Sequence, residues 1–147
     1  MDKISYTALV LDEKSKNKLK KIFQEIIPED FEFIAHHMTI KMGGVPEQGY
    51  VLKHKDKEID IAETLGFTFR LSVDSFGFTD KVIALGVSGF PSEKENPHVT
   101  LAVNRKIGGK PQMSNEITNW QNLKRPFYIT GKVEEIPYRI PENNSNI

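Results

Sequence analysis

The stretches His37-Met38-Thr39-Ile40 and His98-Val99-Thr100-Leu101 repeat one pattern, a histidine and a threonine two residues apart with apolar residues between and after them. In an extended strand, side chains alternate faces, so the histidine and threonine of each copy point one way and the apolar residues point the other. Each copy therefore reads as a polar outcrop on a strand with a buried reverse side. Around the first copy, Ile34, Met38 and Ile40 make one row and Phe33, Ala35, His37 and Thr39 the other, within an extended segment expected from Phe31 to Met42. Around the second, Val99, Leu101 and Val103 oppose His98, Thr100 and Ala102. Both copies obey the same inside-outside rule, which predicts one open face shared by two strands.

The flanking sequence supplies the rest of a small domain. Ile4 to Leu11 reads as a mostly apolar strand, and Asp12 then caps a helix that carries Leu19, Ile22, Phe23, Ile26 and Ile27 at helical spacing until Pro28 stops it. Its lysines at 14, 16, 18, 20 and 21 read as a solvated outer face. Gly43-Gly44 through Gly49 is loop by composition, and the lysine-rich stretch to about Glu58 is expected to be exposed. Phe67 to Phe76 and Lys81 to Ser88 alternate as strands around turn residues at Gly77 to Asp80, which predicts an antiparallel hairpin. Gly89 to Pro97 is a loop, Ser114 is placed to cap a short helix reaching Leu123, and Phe127 to Ile136 returns as a strand.

This order predicts an α+β fold of two rough lobes, mainly antiparallel, with helices packed outside and one motif strand from each lobe bordering a central groove. Residues 1–140 are assigned to that single domain and 141–147, polar and asparagine-rich, to a frayed tail.

Composition narrows the function classes. With 147 residues, 38% hydrophobic and 27% charged, the chain suits one globular domain, and no apolar run approaches the ~20 residues that a membrane helix needs. Met1 to Leu11 is too brief and polar for a signal peptide, so a cytoplasmic setting is expected. Twenty basic residues balance twenty acidic ones. Without a net positive field, a small nucleotide or nucleic-acid end is a better partner than a long duplex. The absence of cysteine removes disulfides, thiolate metal sites and a cysteine nucleophile.

The doubled pattern assembles two imidazoles and two hydroxyls. An imidazole with an ordinary pKa of about 6.5 serves as acid or base near neutrality. Cleaving a phosphodiester needs one group to take a proton from the attacking oxygen and another to give one to the departing oxygen, roles that His37 and His98 fit. Thr39 and Thr100 would donate hydrogen bonds to the non-bridging oxygens; their alternative reading is simple β-propensity. The attacker is left open between water and a substrate 2′-hydroxyl, as is the division of labour between the histidines.

His36 falls on the opposite face from His37 in a regular strand and is expected at the core edge, while His54 lies in a lysine-rich loop and is expected to be exposed. Lys41 continues the His37-Thr39 row and is a candidate phosphate ligand. Arg105, Lys106 and Lys110 could extend a positive rim, although Gly108-Gly109-Lys110 is no Walker loop because Pro111 stands where Ser or Thr is needed. No carboxylate sits at ligand spacing to either motif, so neither a metal nor another cofactor is expected.

His37-Met38-Thr39-Ile40 and Pro97-His98-Val99-Thr100-Leu101 resemble the paired signatures of the two-histidine phosphoesterase superfamily, which includes LigT-like RNA phosphodiesterases. The resemblance implies a small, pseudo-symmetric, metal-independent enzyme acting on 2′,3′-cyclic phosphates, 2′-5′ bonds or related nucleotide esters. One branch, the phage anti-CBASS nucleases that degrade cyclic oligonucleotide signals, carries a base-contacting tyrosine in its first strand, and Tyr6 stands in the matching place. A tyrosine packed within the sheet is the alternative reading of Tyr6. A non-catalytic nucleotide or RNA-end binding module of the same fold is the alternative to an enzyme.

Overall fold

Period-two apolar rows build a sheet that closes on itself. The computed structural model describes residues 3–138, so the tail expected at 141–147 lies outside the described residues. In chain order the elements are β1 (Ile4–Leu11), α1 (Glu13–Phe23), β2 (Glu32–Phe33), β3 (His37–Met42), β4 (Val51–His54), β5 (Lys57–Asp60), β6 (Thr68–Phe78), β7 (Val82–Ser88), β8 (His98–Val103) and β9 (Trp120–Pro137). Short 3-10 turns occupy Ile61–Thr64, Arg105–Ile107 and Pro111–Glu116.

Strands pair in the order β8-β3-β1-β9-β6-β7, every pair antiparallel, and β7 pairs again with β8. That last pairing makes a six-stranded barrel and removes the exposed edges an open sheet would present. β2 adds to β8 on the β3 side, while β4 and β5 form a separate hairpin.

One row from each barrel strand enters the main core: Leu9 and Leu11, Met38 and Ile40, Leu71 and Val73, Leu85 and Val87, Val99 and Leu101, Ile129 and Val133. On β9 the row passes through Gly131, where a Cβ would stand 2.7 Å from Leu9 Cδ2, so only glycine lets β1 approach. α1 starts where expected, with the Asp12 carboxylate accepting from the Ser15 amide at 2.8 Å and Lys20 and Lys21 in its last turn. It buries Leu19 and Phe23 in the same core, each worth roughly 1.5–3 kcal/mol.

Three expectations change. The helix expected from Ser114 to Leu123 is replaced by the turn Pro111–Glu116 and the start of the 18-residue strand β9. There Trp120 and Gln121 pair with Gly77 and Phe76, and Ile117 and Trp120 pack on Val82, Ala84 and Val103 in a second cluster. Cross-strand packing outweighs local helix propensity. The stretch expected to be an exposed loop contains the β4–β5 hairpin, whose Leu52 and Ile59 lean on the main core. The domain is thus a mainly antiparallel sheet with one α-helix among the described residues, and a single closed sheet carries both motif strands.

The third change falls inside the first motif segment. Ala35 has φ +43°, a left-handed conformation rare outside glycine, and it separates β2 from β3. The side-chain rows exchange faces at this residue: Phe33 and Ala35 join the main core, and Ile34 joins the second cluster. The row assigned from strict alternation is correct from His37 to Ile40 and inverted upstream of Ala35.

Candidate active site

β3 and β8 are antiparallel neighbours bridged at Met38 and Val99. Antiparallel register then sets His37 beside Thr100 and Thr39 beside His98, so each imidazole neighbours the hydroxyl of the other motif. Met38 and Val99 are fully buried in the core, which turns all four polar side chains to the opposite face.

Each motif also ends in a β-bulge. On β3, Ala8 pairs with Thr39 and Thr7 with Lys41, leaving Ile40 as the extra residue; on β8, Ala84 pairs with Thr100 and Ile83 with Ala102, leaving Leu101. A bulge places two consecutive residues on the same side, so the alternation reverses beyond it. This corrects the placement of Lys41. It leaves the His37-Thr39 row and lies beside Thr7, 8% exposed, with Nζ donating to the carbonyls of Met42 and Gly44 at 2.6 and 3.0 Å and sitting 4.8 Å from the Tyr50 ring centre. Met42 takes its place facing the cleft. The same reversal sets buried Ala102 beside Ile83 of the main core and puts Val103 with its partner Val82 in the second cluster.

His37, Thr39, His98, Thr100 and Tyr6 all line one cavity of about 380 Å³, walled further by Met42, Lys94, Gln112 and Asn115. A second recess of about 590 Å³ shares Tyr6, His37 and Thr100 and adds His36, Arg105 and Tyr138. His37 and Thr100 therefore stand where two arms of one cleft meet. The Tyr6 ring lies 4.8 Å from the His37 ring, and partial burial pushes its phenol pKa up.

The walls are tied to the motif strands. The Ser92 hydroxyl donates to the Thr39 carbonyl at 2.7 Å and the Glu93 amide to the Ile40 carbonyl at 2.7 Å, which carries Lys94 over the cleft. Thr100 holds the turn Pro111–Glu116: its hydroxyl donates to the Pro111 carbonyl at 3.1 Å and lies 2.8 Å from Ser114 Oγ. The two threonines are thus unequal. Thr100 is 8% exposed and engaged, whereas the Thr39 hydroxyl has no hydrogen-bond partner among the described residues.

The histidines differ as well. His98 Nδ1 lies 2.9 Å from the Asn96 carbonyl, which can only accept, so Nδ1 carries the proton and Nε2 of the neutral ring keeps its lone pair. Burial lowers the His98 pKa, the Asn96 carbonyl opposes that by supporting the cation, and Lys94 lowers it further. His37 Nδ1 lies 2.8 Å from His36 Nδ1. Burial first, then the neighbouring His36 and His98, push the His37 pKa down to about 4. Both rings are therefore neutral near pH 7.

His36 was expected at the core edge, on the face away from His37. The left-handed turn at Ala35 brings both side chains to the same cleft instead. Of the basic residues after the second motif, Arg105 lines the second recess and pairs with Glu32 at 3.0 Å, while Lys106 and Lys110 line neither arm, and neither does His54. Among the described residues, no group of three or more His, Asp or Glu is arranged to hold a metal ion, and no helix is long and apolar enough to cross a membrane. Lys94, Gln112 and Asn115 carried no motif in the sequence; they reach the site through the two tethered walls. No family model matches the chain, and no curated protein matches it.

Proposed function

We propose that this protein is a metal-independent phosphodiesterase that cleaves a nucleotide phosphodiester by two-histidine acid/base catalysis. The observation that carries the reading is the convergence of both His-x-Thr pairs on one cleft, in cross-paired register. His37, the harder ring to protonate, takes the proton from the attacking oxygen. His98, whose cation the Asn96 carbonyl supports, gives the Nε2 proton to the departing oxygen. A bound phosphate anion raises the pKa of both rings, which supplies the protonated acid near neutrality. Thr39, with Lys94 beside it, stabilises charge on the non-bridging oxygens.

The two arms favour a substrate with a nucleoside on each side of the phosphorus, such as a cyclic or linear oligonucleotide, over a terminal 2′,3′-cyclic phosphate. Tyr6, on the shared wall, is placed to meet a base. In this reading the two motif strands, each bulged against its outer neighbour, are halves of a pseudo-symmetric two-lobed plan related about the Met38–Val99 bridge, as in two-histidine phosphoesterases. The setting is the cytoplasm of a cell or an infected host cell.

The test is a product-resolved panel of cyclic mononucleotides, cyclic dinucleotides, linear 2′-5′ and 3′-5′ dinucleotides and cyclic-phosphate-ended RNA, each with and without EDTA. Turnover of oligonucleotides that persists in EDTA is expected. Tight nucleotide binding with no product at any pH would make the protein a binding module and remove the catalytic assignment.

A further inference from the structure

Ala35, a non-glycine residue at φ +43°, holds a disfavoured conformation that is kept only where the surroundings impose it. Here they do. The Ala35 amide donates to the Thr100 carbonyl at 2.9 Å, the Ile34 amide donates to the Leu101 carbonyl at 2.8 Å, and the His36 carbonyl accepts from Leu11 at 2.9 Å. The Ala35 methyl is fully buried. The consequence is that two consecutive residues, which a regular strand would send to opposite faces, present their rings to one cleft. His36 and His37 meet Nδ1 to Nδ1 at 2.8 Å with their planes 82° apart.

Two neutral imidazoles can share that contact in only two ways. If His37 donates its Nδ1 proton to His36, His37 Nε2 keeps a lone pair and can act as a base. If His36 donates, His37 carries its proton on Nε2 and cannot. A protonated His36 has hydrogens on both nitrogens and permits only the second arrangement.

We infer that His36 is a positioning residue: neutral, it accepts the Nδ1 proton of His37 and fixes the base-competent tautomer, and protonated, it locks His37 in the inactive one. The inference builds on the acid/base reading of His37. It gives the site a proton-controlled switch one residue from the base. The charged and titratable groups around His36 are Lys16 of α1, Glu134 of β9, Tyr138 after β9, Arg105 after β8, Tyr6 of β1 and His37 itself. Burial and Lys16 oppose the protonation of His36 and Glu134 favours it, so the switch responds below neutrality.

Long-range 15N–1H correlation spectra of the histidine rings test this without reference to activity. Asparagine places a carbonyl oxygen near the position of His36 Nδ1 and does not titrate. At pH 7, wild type and His36→Asn are expected to show His37 protonated on Nδ1, and His36→Ala is expected to move it toward the Nε2 form that a free imidazole prefers. Lowering the pH of wild type from 7 is expected to convert His37 to the Nε2 form as His36 protonates, a change absent in His36→Asn. His37 carrying its proton on Nε2 in wild type at pH 7, or a His37 tautomer indifferent to His36→Ala, overturns the inference.

Kinetics then separate the two claims. His36→Ala should lower kcat tenfold or more, and His36→Asn should restore it with a displaced acid limb. Equal kcat in wild type and His36→Ala would remove the positioning role. A wild-type protein that turns over no phosphodiester would instead remove the proposed function, leaving the tautomer result to stand or fall on the spectra.

Discussion

Met38 and Val99, both wholly buried, face each other across β3 and β8, and this one bridge sets the site. A slip of β3 by a single residue would turn His37 and Thr39 into the core together and away from His98 and Thr100, because every side chain on the slipped strand changes face. The apolar members of the two motifs thus fix the register, and the polar members use it. Barrel closure through β7 and β8 prevents β8 from drifting relative to β3.

The acid/base assignment predicts that His37→Ala and His98→Ala each lower kcat/KM by about 10²–10⁴. Neither ring is a member of the hydrophobic core, so cooperative thermal unfolding should persist in both variants. Near-full turnover by either folded variant would remove its histidine from the reaction.

The unequal threonines give a sharper prediction. Thr39→Val removes a hydroxyl with no partner among the described residues, so stability should stay within about 0.5 kcal/mol while kcat falls about 100-fold. Thr100→Val strips the Pro111 carbonyl and Ser114 of their partner and should cost about 1–3 kcal/mol, seen as a lower melting temperature. Equal thermal shifts in the two variants would contradict the asymmetry.

The bulge at Ile40 separates two lysines that composition alone treats alike. Lys94→Ala should raise KM about tenfold at unchanged stability, since the side chain lines the cleft. Lys41→Ala should leave KM unchanged and cost about 1–3 kcal/mol, because it deletes two carbonyl contacts and the seat of the ammonium over the Tyr50 ring. A raised KM in Lys41→Ala with normal stability would place that ammonium in the cleft after all.

How far the sequence reaches is visible in these same residues. Alternation found the polar and apolar faces of both motifs, because period two holds from His37 to Ile40 and from His98 to Leu101. It failed at Ala35, Lys41 and Ala102 for one kind of reason: a kink or a bulge resets the phase, and neither leaves a mark such as glycine or proline at the residue concerned. Tyr6 was legible through resemblance, and its place across from Met42 on β3 needed the pairing. Lys94, Gln112 and Asn115 come from loops held by backbone and hydroxyl contacts, a long-range relation that no local pattern encodes.

The last prediction concerns pH and follows from the direction in which burial moves the histidines. The pKa of His37 falls from 6.5 to about 4 on folding, and those of His36 and His98 fall as well. Between those values the unfolded chain binds more protons than the folded one, so stability is full above pH 6.5 and declines as pH drops toward 4. The His37 share of that decline is about 3 kcal/mol, and urea denaturation at pH 7 and pH 4.5 should show a smaller decline in His37→Ala than in wild type. The same direction sets the catalytic profile: kcat/KM, which reports the free protein, should be bell-shaped with its maximum below pH 6.5, the usual histidine value, and its acid limb set by protonation of His36 and His37. A maximum above pH 7 together with an unchanged pH decline in His37→Ala would mean that His37 is neither buried nor the base.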